Sequence, residues 1–401
     1  MTPSSQSLRP PTLRRAAGLA LAFLLAPLPA PAQDLAAFEA RTAVHVLDNG
    51  WTFILVERPE APVFSFATVV DAGGAQEVPG ITGIAHMFEH MAFKGTPVIG
   101  TSDWEAEREA LERLEAAYQA YQAERLSRSP DPEELAALEA AFRERQEEAA
   151  GYVVQNGFDD LLEQNGATGI NAFTGGDLTG YHYSLPANKT ELFAYLESER
   201  FRHPVFREFY KERDVVQEER RLRTDSSPVG RLVEQFVTTA FQAHPYGQPV
   251  VGYMSDLQSI TMTDAHEFFE TYYAPSNLVT AVVGDIDAEA LVPVIEAYFG
   301  RIPGRAEAPR LRTVEPPQIA EKTVVLEDPS QPFYLEGYHR PPITHPDEAV
   351  YAAIDDVLTN GRTSRLYRRL VRDERLAVAV QSFSGFPGDK YPNLWAVFVV
   401  A

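Results

Sequence analysis

Two histidines and a glutamate fall within one helical turn of this 401-residue chain, in the run Gly83-Ile84-Ala85-His86-Met87-Phe88-Glu89-His90-Met91. His86 and His90 are four apart, so on a helix both imidazoles leave one face and can grip a single metal ion. Glu89 sits beside His90 and can reach a water on that ion, as a general base must. The order His-x-x-Glu-His reverses His-Glu-x-x-His and is the inverted zinc-peptidase pattern. Ile84, Met87, Phe88, Met91 and Phe93 surround these polar groups with apolar bulk, which suits a half-buried helix. Imidazoles and a carboxylate kept there need partners, because desolvating them alone is costly.

A third ligand must come from elsewhere. The run Glu212-Arg213-Asp214-Val215-Val216-Gln217-Glu218-Glu219 follows the strongly helical Tyr195-Leu196-Glu197-Ser198-Glu199-Arg200. Glu212 and Glu219 are seven apart, two helical turns, and share a face from which Glu218 is turned away. One of the two can complete a His2Glu site with an open fourth position, and the other can hold a histidine in the correct tautomer. Acidic runs on helices are more often solvated faces, so this run identifies nothing by itself. His182, His203 and His244 stand alone beside prolines or in strand patterns and read as structural or surface residues.

Further motifs are Asp71-Ala72-Gly73-Gly74, Asn171-Ala172-Phe173-Thr174, His244-Pro245-Tyr246-Gly247, Tyr273-Ala274-Pro275-Ser276-Asn277-Leu278, Val283-Gly284-Asp285 and Ser364-Arg365-Leu366-Tyr367. Together with the two runs above, and in this order, they make the sequence resemble the pitrilysin/insulinase family of zinc peptidases. The resemblance is strongest to its bacterial half-length branch, related to mitochondrial processing peptidase. It implies hydrolysis of unstructured peptides in an enclosed chamber. It implies His86, His90 and Glu219 as ligands of one Zn2+, Glu89 as the catalytic base and Glu212 as a supporting carboxylate. Asn171, Ala172, Phe173 and Thr174 would lie on an edge strand that pairs with an extended peptide.

The chain departs from that pattern in places. More residues separate His90 from Glu219 than the family places there, and the excess, about 103–157, reads as a helical hairpin. Leu111, Leu114, Tyr118 and Tyr121 recur at helical spacing, Asp131 can cap a second helix with Pro132 at its first position, and Leu135, Leu138 and Phe142 form its stripe. A surface insertion is the plainer expectation, a docking or gating arm the alternative. Where many members carry a tyrosine that stabilises the developing oxyanion, this chain has Val378, and Arg372 matches the accompanying arginine only loosely. A heterodimer with a zinc-free related subunit supplying the arginine–tyrosine pair is therefore expected. The strand pattern Asn393-Leu394-Trp395-Ala396-Val397-Phe398-Val399-Val400 stops at its apolar run, so a C-terminal truncation of the second domain is also expected.

Composition narrows the rest. The net charge of −22 argues against nucleic-acid binding. There is no cysteine, hence no disulfide and no thiolate ligand. Arg9, Arg14 and Arg15, the apolar stretch 16–25 and Ala30-Pro31-Ala32 read as a cleavable signal peptide over 1–32, which points to a periplasmic or secreted protein. No run beyond it is long enough to span a bilayer. Strand and helix patterns mix without strict alternation, which predicts an α+β fold of two related α/β-sandwich domains. These would cover 40–301 and 323–401, joined by a Pro-, Arg- and Glu-rich linker over 302–322, with 323–325 opening the second and a helix near 365–372. The rival to a peptidase is a non-catalytic peptide-binding or assembly subunit on the same fold, favoured by the missing tyrosine and opposed by the intact His86, Glu89, His90 and Glu219.

Overall fold

The computed structural model describes residues 35–401; the expected signal peptide lies outside them. The helix Leu35–Glu39 belongs to a small unit of its own, and Val44–Ala401 forms one compact unit. Strands β1 (Thr42–Val46), β2 (Thr52–Glu57), β3 (Val63–Val70), β4 (Thr168–Thr174), β5 (Thr179–Pro186) and β6 (Leu278–Gly284) form a six-stranded sheet in the order β1-β2-β6-β3-β5-β4. β2 and β6 run parallel, while β3 is antiparallel to both its neighbours, β5 and β6. Alternation sets the faces: along β3, Phe64, Phe66, Thr68 and Val70 turn inward. Trp51 packs on Phe53, Phe201 and Phe299 with ring centroids 5.8, 5.1 and 5.0 Å away. Its indole N–H donates to Thr280 Oγ1 at 3.0 Å, so the one polar atom of this large core ring is satisfied.

Among the described residues, ten helices of eight or more residues pack around the strands: α1 (Ile84–Met91), α2 (Trp104–Arg125), α3 (Pro132–Ala150), α4 (Gly157–Gln164), α5 (Thr190–Arg202), α6 (Phe209–Arg220), α7 (Pro228–Ala240), α8 (Met262–Tyr272), α9 (Ala288–Phe299) and α10 (Glu348–Leu358). A second, antiparallel sheet orders β7 (Phe333–Arg340), β9 (Asn393–Val400) and β8 (Ala379–Phe386) as β7-β9-β8. Asp355 on α10 accepts from Trp395 Nε1 and Ser382 Oγ, each at 2.6 Å, and ties that helix to this sheet. The architecture is mixed α and β with helices on sheets. Residues 323–325 open no strand: Val324 and Val325 are 46% and 82% exposed, and pairing begins only at Phe333. Near 365–372 the helix takes a π form over Tyr367–Asp373.

Asp177, in the β4–β5 turn, joins the second sheet to the first. It accepts from Tyr246 Oη and from the backbone N–H of Asp389 and Lys390, the last two at 2.7 and 3.0 Å. Gly388 lies so close that a Cβ there would meet Asp177 Oδ2 at 2.5 Å. The His244-Pro245-Tyr246-Gly247 motif thus serves a joint, and His244 Nδ1 accepts from the Tyr246 N–H within it.

The residues between α1 and β4 do form a helical hairpin, capped at its second helix by Asp131 with Pro132 at the first position. The hairpin is more than a surface appendage. Tyr118 and Phe142 close on Tyr210 of α6 at 4.2 and 5.2 Å, and the Arg213 guanidinium lies over both tyrosine rings. Glu107 of α2, fully buried, pairs in two-pronged fashion with buried Arg207 at 2.5 and 2.8 Å. Arg207 also donates to the carbonyls of Lys94, Thr96 and Ile99, in the loop that follows α1. Removing one partner of such a pair strands a buried charge. Glu107→Gln is expected to lower unfolding stability by about 3–5 kcal/mol. The exposed Glu109→Gln is expected to change it by less than about 0.5 kcal/mol. Urea unfolding of the two variants compares them directly.

Candidate metal centre

α1 is held at its start by two carboxylates. Gly83, at φ 93°, turns the chain into the helix, and a Cβ there would sit 2.7 Å from the Val251 carbonyl oxygen, so glycine is required. Buried Glu77 accepts the N–H of Gly83 at 2.7 Å and of Ala85 at 2.8 Å. Asp256 accepts from Thr82 Oγ1 at 2.7 Å and from the N–H groups of Gly80 and Thr82. Donors that a helix start leaves unsatisfied are thereby paired inside the protein.

α6 crosses beside α1. Phe209, Tyr210, Arg213, Val216, Gln217 and Arg220 are its buried positions, while Glu212 and Glu219 reach the α1 histidines. Glu218 is turned away and pairs with Arg221 at 2.8 Å, as the spacing predicts. One ligand atom from each of His86, His90 and Glu219 lies within 4.8 Å of the others. Glu219 Oε1 is 3.6 Å from His86 Nε2, and Glu219 Oε2 is 3.2 Å from His90 Nε2. Two bonds of zinc–ligand length meeting at a tetrahedral centre hold their donor atoms ~3.4 Å apart. The donor set fits zinc in kind, and the two Glu219 contacts fit it in spacing. Burial holds the His86 imidazole below the usual histidine range, favouring the neutral form a ligand needs, and its Nδ1 is buried without a partner.

His90 behaves differently. Burial lowers its affinity for a proton, but Glu212, Glu219 and Glu89 outweigh that and the net shift is upward. Glu212 Oε2 lies 3.6 Å from His90 Nδ1, an ion-pair contact longer than a full hydrogen bond. Glu89 is half-buried on the same helix, and its charge acts on both histidines. Among the described residues it makes no hydrogen bond or ion pair.

β4 packs alongside α1 and is the sheet edge, carrying Asn171, Ala172, Phe173 and Thr174. Ala172 is buried opposite Tyr181, and Phe173 is 44% exposed, its ring lying over Gly180. His182 and His203 stand outside the His86–His90–Glu219 cluster. Val378 is 70% exposed, and Arg372 pairs with its own neighbour Asp373 at 2.7 Å.

Sequence reasoning missed Glu77, Lys94 and Arg223. Arg223, exposed on the π-helical turn Arg221–Asp225 that extends α6, donates to Glu219 Oε1 at 2.6 Å. Lys94 Nζ binds Glu212 Oε1 at 2.5 Å. For Lys94 a signal existed, since it continues the spacing of four from His86 and His90. For Glu77 there was none, because its backbone partners are set by how the loop folds back.

A His-His-Glu cluster that could hold a metal ion, with both histidines on one helix in the order His-x-x-Glu-His, on a mixed α/β scaffold is the arrangement to set beside known proteins. An insulinase (peptidase family M16) model matches residues 52–126 and an M16 inactive-domain model matches 259–399, together more than half of the chain. The zinc protease PqqE of Helicobacter pylori is 29% identical over 349 residues, 84% of this chain and 65% of that protein. The probable mitochondrial-processing peptidase subunit beta of Schizosaccharomyces pombe is 24% identical, covering 90% of this chain and 69% of its own. The crystal structure of a protease from Helicobacter pylori superposes with a TM-score of 0.72 at 25% identity, over 90% of this chain and 74% of that one. The chain belongs to the M16 (insulinase) peptidase family. It spans just under two thirds of the length of PqqE.

Burial is the main cause that pushes the Glu77 carboxyl up to about 8, with Asp256 adding to it and the two N–H groups opposing. A folded value above the ordinary 4.5 means that the folded chain favours the protonated acid. Its contribution to stability is complete below about 4.5 and is lost as pH rises through about 8. Thermal unfolding of metal-free protein should therefore show the melting temperature of wild type falling, relative to Glu77→Gln, between those limits. A constant difference across that window would refute the assignment.

Proposed function

We propose that this chain is the zinc-bearing subunit of a metalloendopeptidase that cleaves unstructured peptides in an enclosed chamber. The convergence of His86, His90 and Glu219, with Glu89 unpaired on the same helix as both histidines, carries the reading. Its membership of a family whose named relatives are zinc proteases supports it.

One Zn2+ held by His86, His90 and Glu219 would supply Lewis acidity, polarising the scissile carbonyl and making a water more acidic. Glu89 takes the proton of the attacking water and passes it to the leaving amine nitrogen, so the carboxylate ends the cycle as it began. Glu212 orients His90 through Nδ1, leaving Nε2 as the donor. The open edge of β4, over Asn171, Ala172, Phe173 and Thr174, offers to an extended peptide the backbone N–H and C=O groups of the alternate residues that do not bond to β5, and the peptide must be unfolded to pair there.

The domain reading carries over as part of this proposal: a zinc-bearing domain over 40–301, a linker over 302–322 and a second domain from 323. With Val378 where an oxyanion-stabilising tyrosine is expected, the assembly is a heterodimer in which a zinc-free related subunit brings the arginine–tyrosine pair. Among the described residues no helix is long and apolar enough to cross a membrane. The basic-then-apolar pattern over 1–32 supports a periplasmic or secreted location. Val378 also favours the second reading, a peptide-binding subunit without turnover.

Glu89→Gln is expected to keep about one zinc per chain while cutting turnover of a quenched peptide library ~10²–10⁴-fold. Metal analysis and the same assay, run with and without the partner subunit, check both halves. Stoichiometric zinc with no wild-type turnover beside any partner would leave the binding reading standing instead.

A further inference from the structure

The role of Lys94 goes beyond the ligand set and rests on the zinc reading above. His86, His90 and Lys94 succeed one another at steps of four in the sequence, and although Lys94 lies past the end of α1 it meets the same carboxylate that faces His90. Its ammonium binds Glu212 Oε1 at 2.5 Å and Glu208 Oε2 at 3.2 Å. All three side chains are at most 20% exposed. Glu212 thus shares its two oxygens: Oε1 goes to Lys94 and Oε2 faces His90 Nδ1. Glu208 is anchored in turn by Lys211 at 2.7 Å and Gln155 at 3.2 Å, and stands at φ 59° as the residue that starts α6. The Lys94 carbonyl accepts from Arg207, so backbone and side chain of this lysine are both fixed.

A carboxylate between two cationic or donor groups has one preferred rotamer, and here that rotamer decides which histidine nitrogen is free. We propose that Lys94 is a positioning residue of the metal site. By clamping Glu212 it fixes the carboxylate that holds the His90 Nδ1–H, and so presents Nε2 to the metal. An ordinary ion pair at this place would stabilise the fold and leave the metal site indifferent to it.

The experiment measures zinc affinity by chelator competition, and the visible spectrum of the Co2+-substituted protein, for full-length wild type, Lys94→Met, Lys94→Arg, Glu212→Gln and the Lys94→Met/Glu212→Gln double variant. Lys94→Met is expected to weaken zinc binding about 10–100-fold and alter the Co2+ bands, the range for outer-shell partners of a ligating histidine. Lys94→Arg, which keeps the cation, should recover most of the loss. In the Glu212→Gln background the methionine should add almost nothing, because the lysine acts through that carboxylate. Unaltered zinc affinity and Co2+ bands in a folded Lys94→Met protein, or independent losses in the double variant, would overturn the proposal. If Lys94→Met does not fold, Lys94→Gln is read by the same assays against the same limits. Wild type that binds no zinc at all would instead remove the reading on which this one rests.

Discussion

A single buried guanidinium, Arg207, ties together three segments around the candidate metal site. It faces Glu107 of the inserted hairpin, caps three carbonyls of the loop after α1, and precedes the helix that carries Glu212 and Glu219. A charge taken out of water in this way is tolerable only when nearly every N–H finds an acceptor. That requirement works as a geometric constraint. The histidine helix and the glutamate helix are far apart in sequence, and their relative placement must be fixed to fractions of an ångström for three donor atoms to meet.

The site is built from opposing electrostatic demands. Desolvation keeps His86 neutral while neighbouring carboxylates draw a proton towards His90, so two imidazoles on one helix carry different loads. Lys94 and Arg223 offset some of the negative charge that Glu89, Glu212 and Glu219 concentrate there. Arg223 is exposed and meets a single carboxylate, Glu219, whereas Lys94 is held on both sides. The second sheet is joined to this part of the molecule through Asp177, close in sequence to the edge strand beside α1.

Much of this was legible in the sequence because it is local. The spacing of His86, Glu89 and His90, the seven-residue step from Glu212 to Glu219, the Asp131–Pro132 helix start and the alternation in β3 all state their outcome within a few residues. What escaped is long-range. Nothing near Glu77 announces that it will satisfy the start of a helix, and nothing near Glu107 announces a partner a hundred positions away. Residues 323–325 show the converse: Val324 and Val325 have strand propensity, but no neighbouring strand pairs with them. The hairpin's helices were readable, while its docking on α6 depended on Tyr118, Phe142 and Tyr210 meeting in three dimensions.

The irregularity in β4 has a consequence of its own. Pairing with β5 slips between Thr168 and Asn171, where Gly169 stands at φ 64°, so only Asn171 to Thr174 run as regular ladder. Four residues of strand span about 13 Å. An exposed sheet edge also recruits like edges, and a bulge that shortens and twists it is one way folds avoid self-association. The same break therefore shortens the regular edge that a like strand, or any visiting chain, would find to pair with.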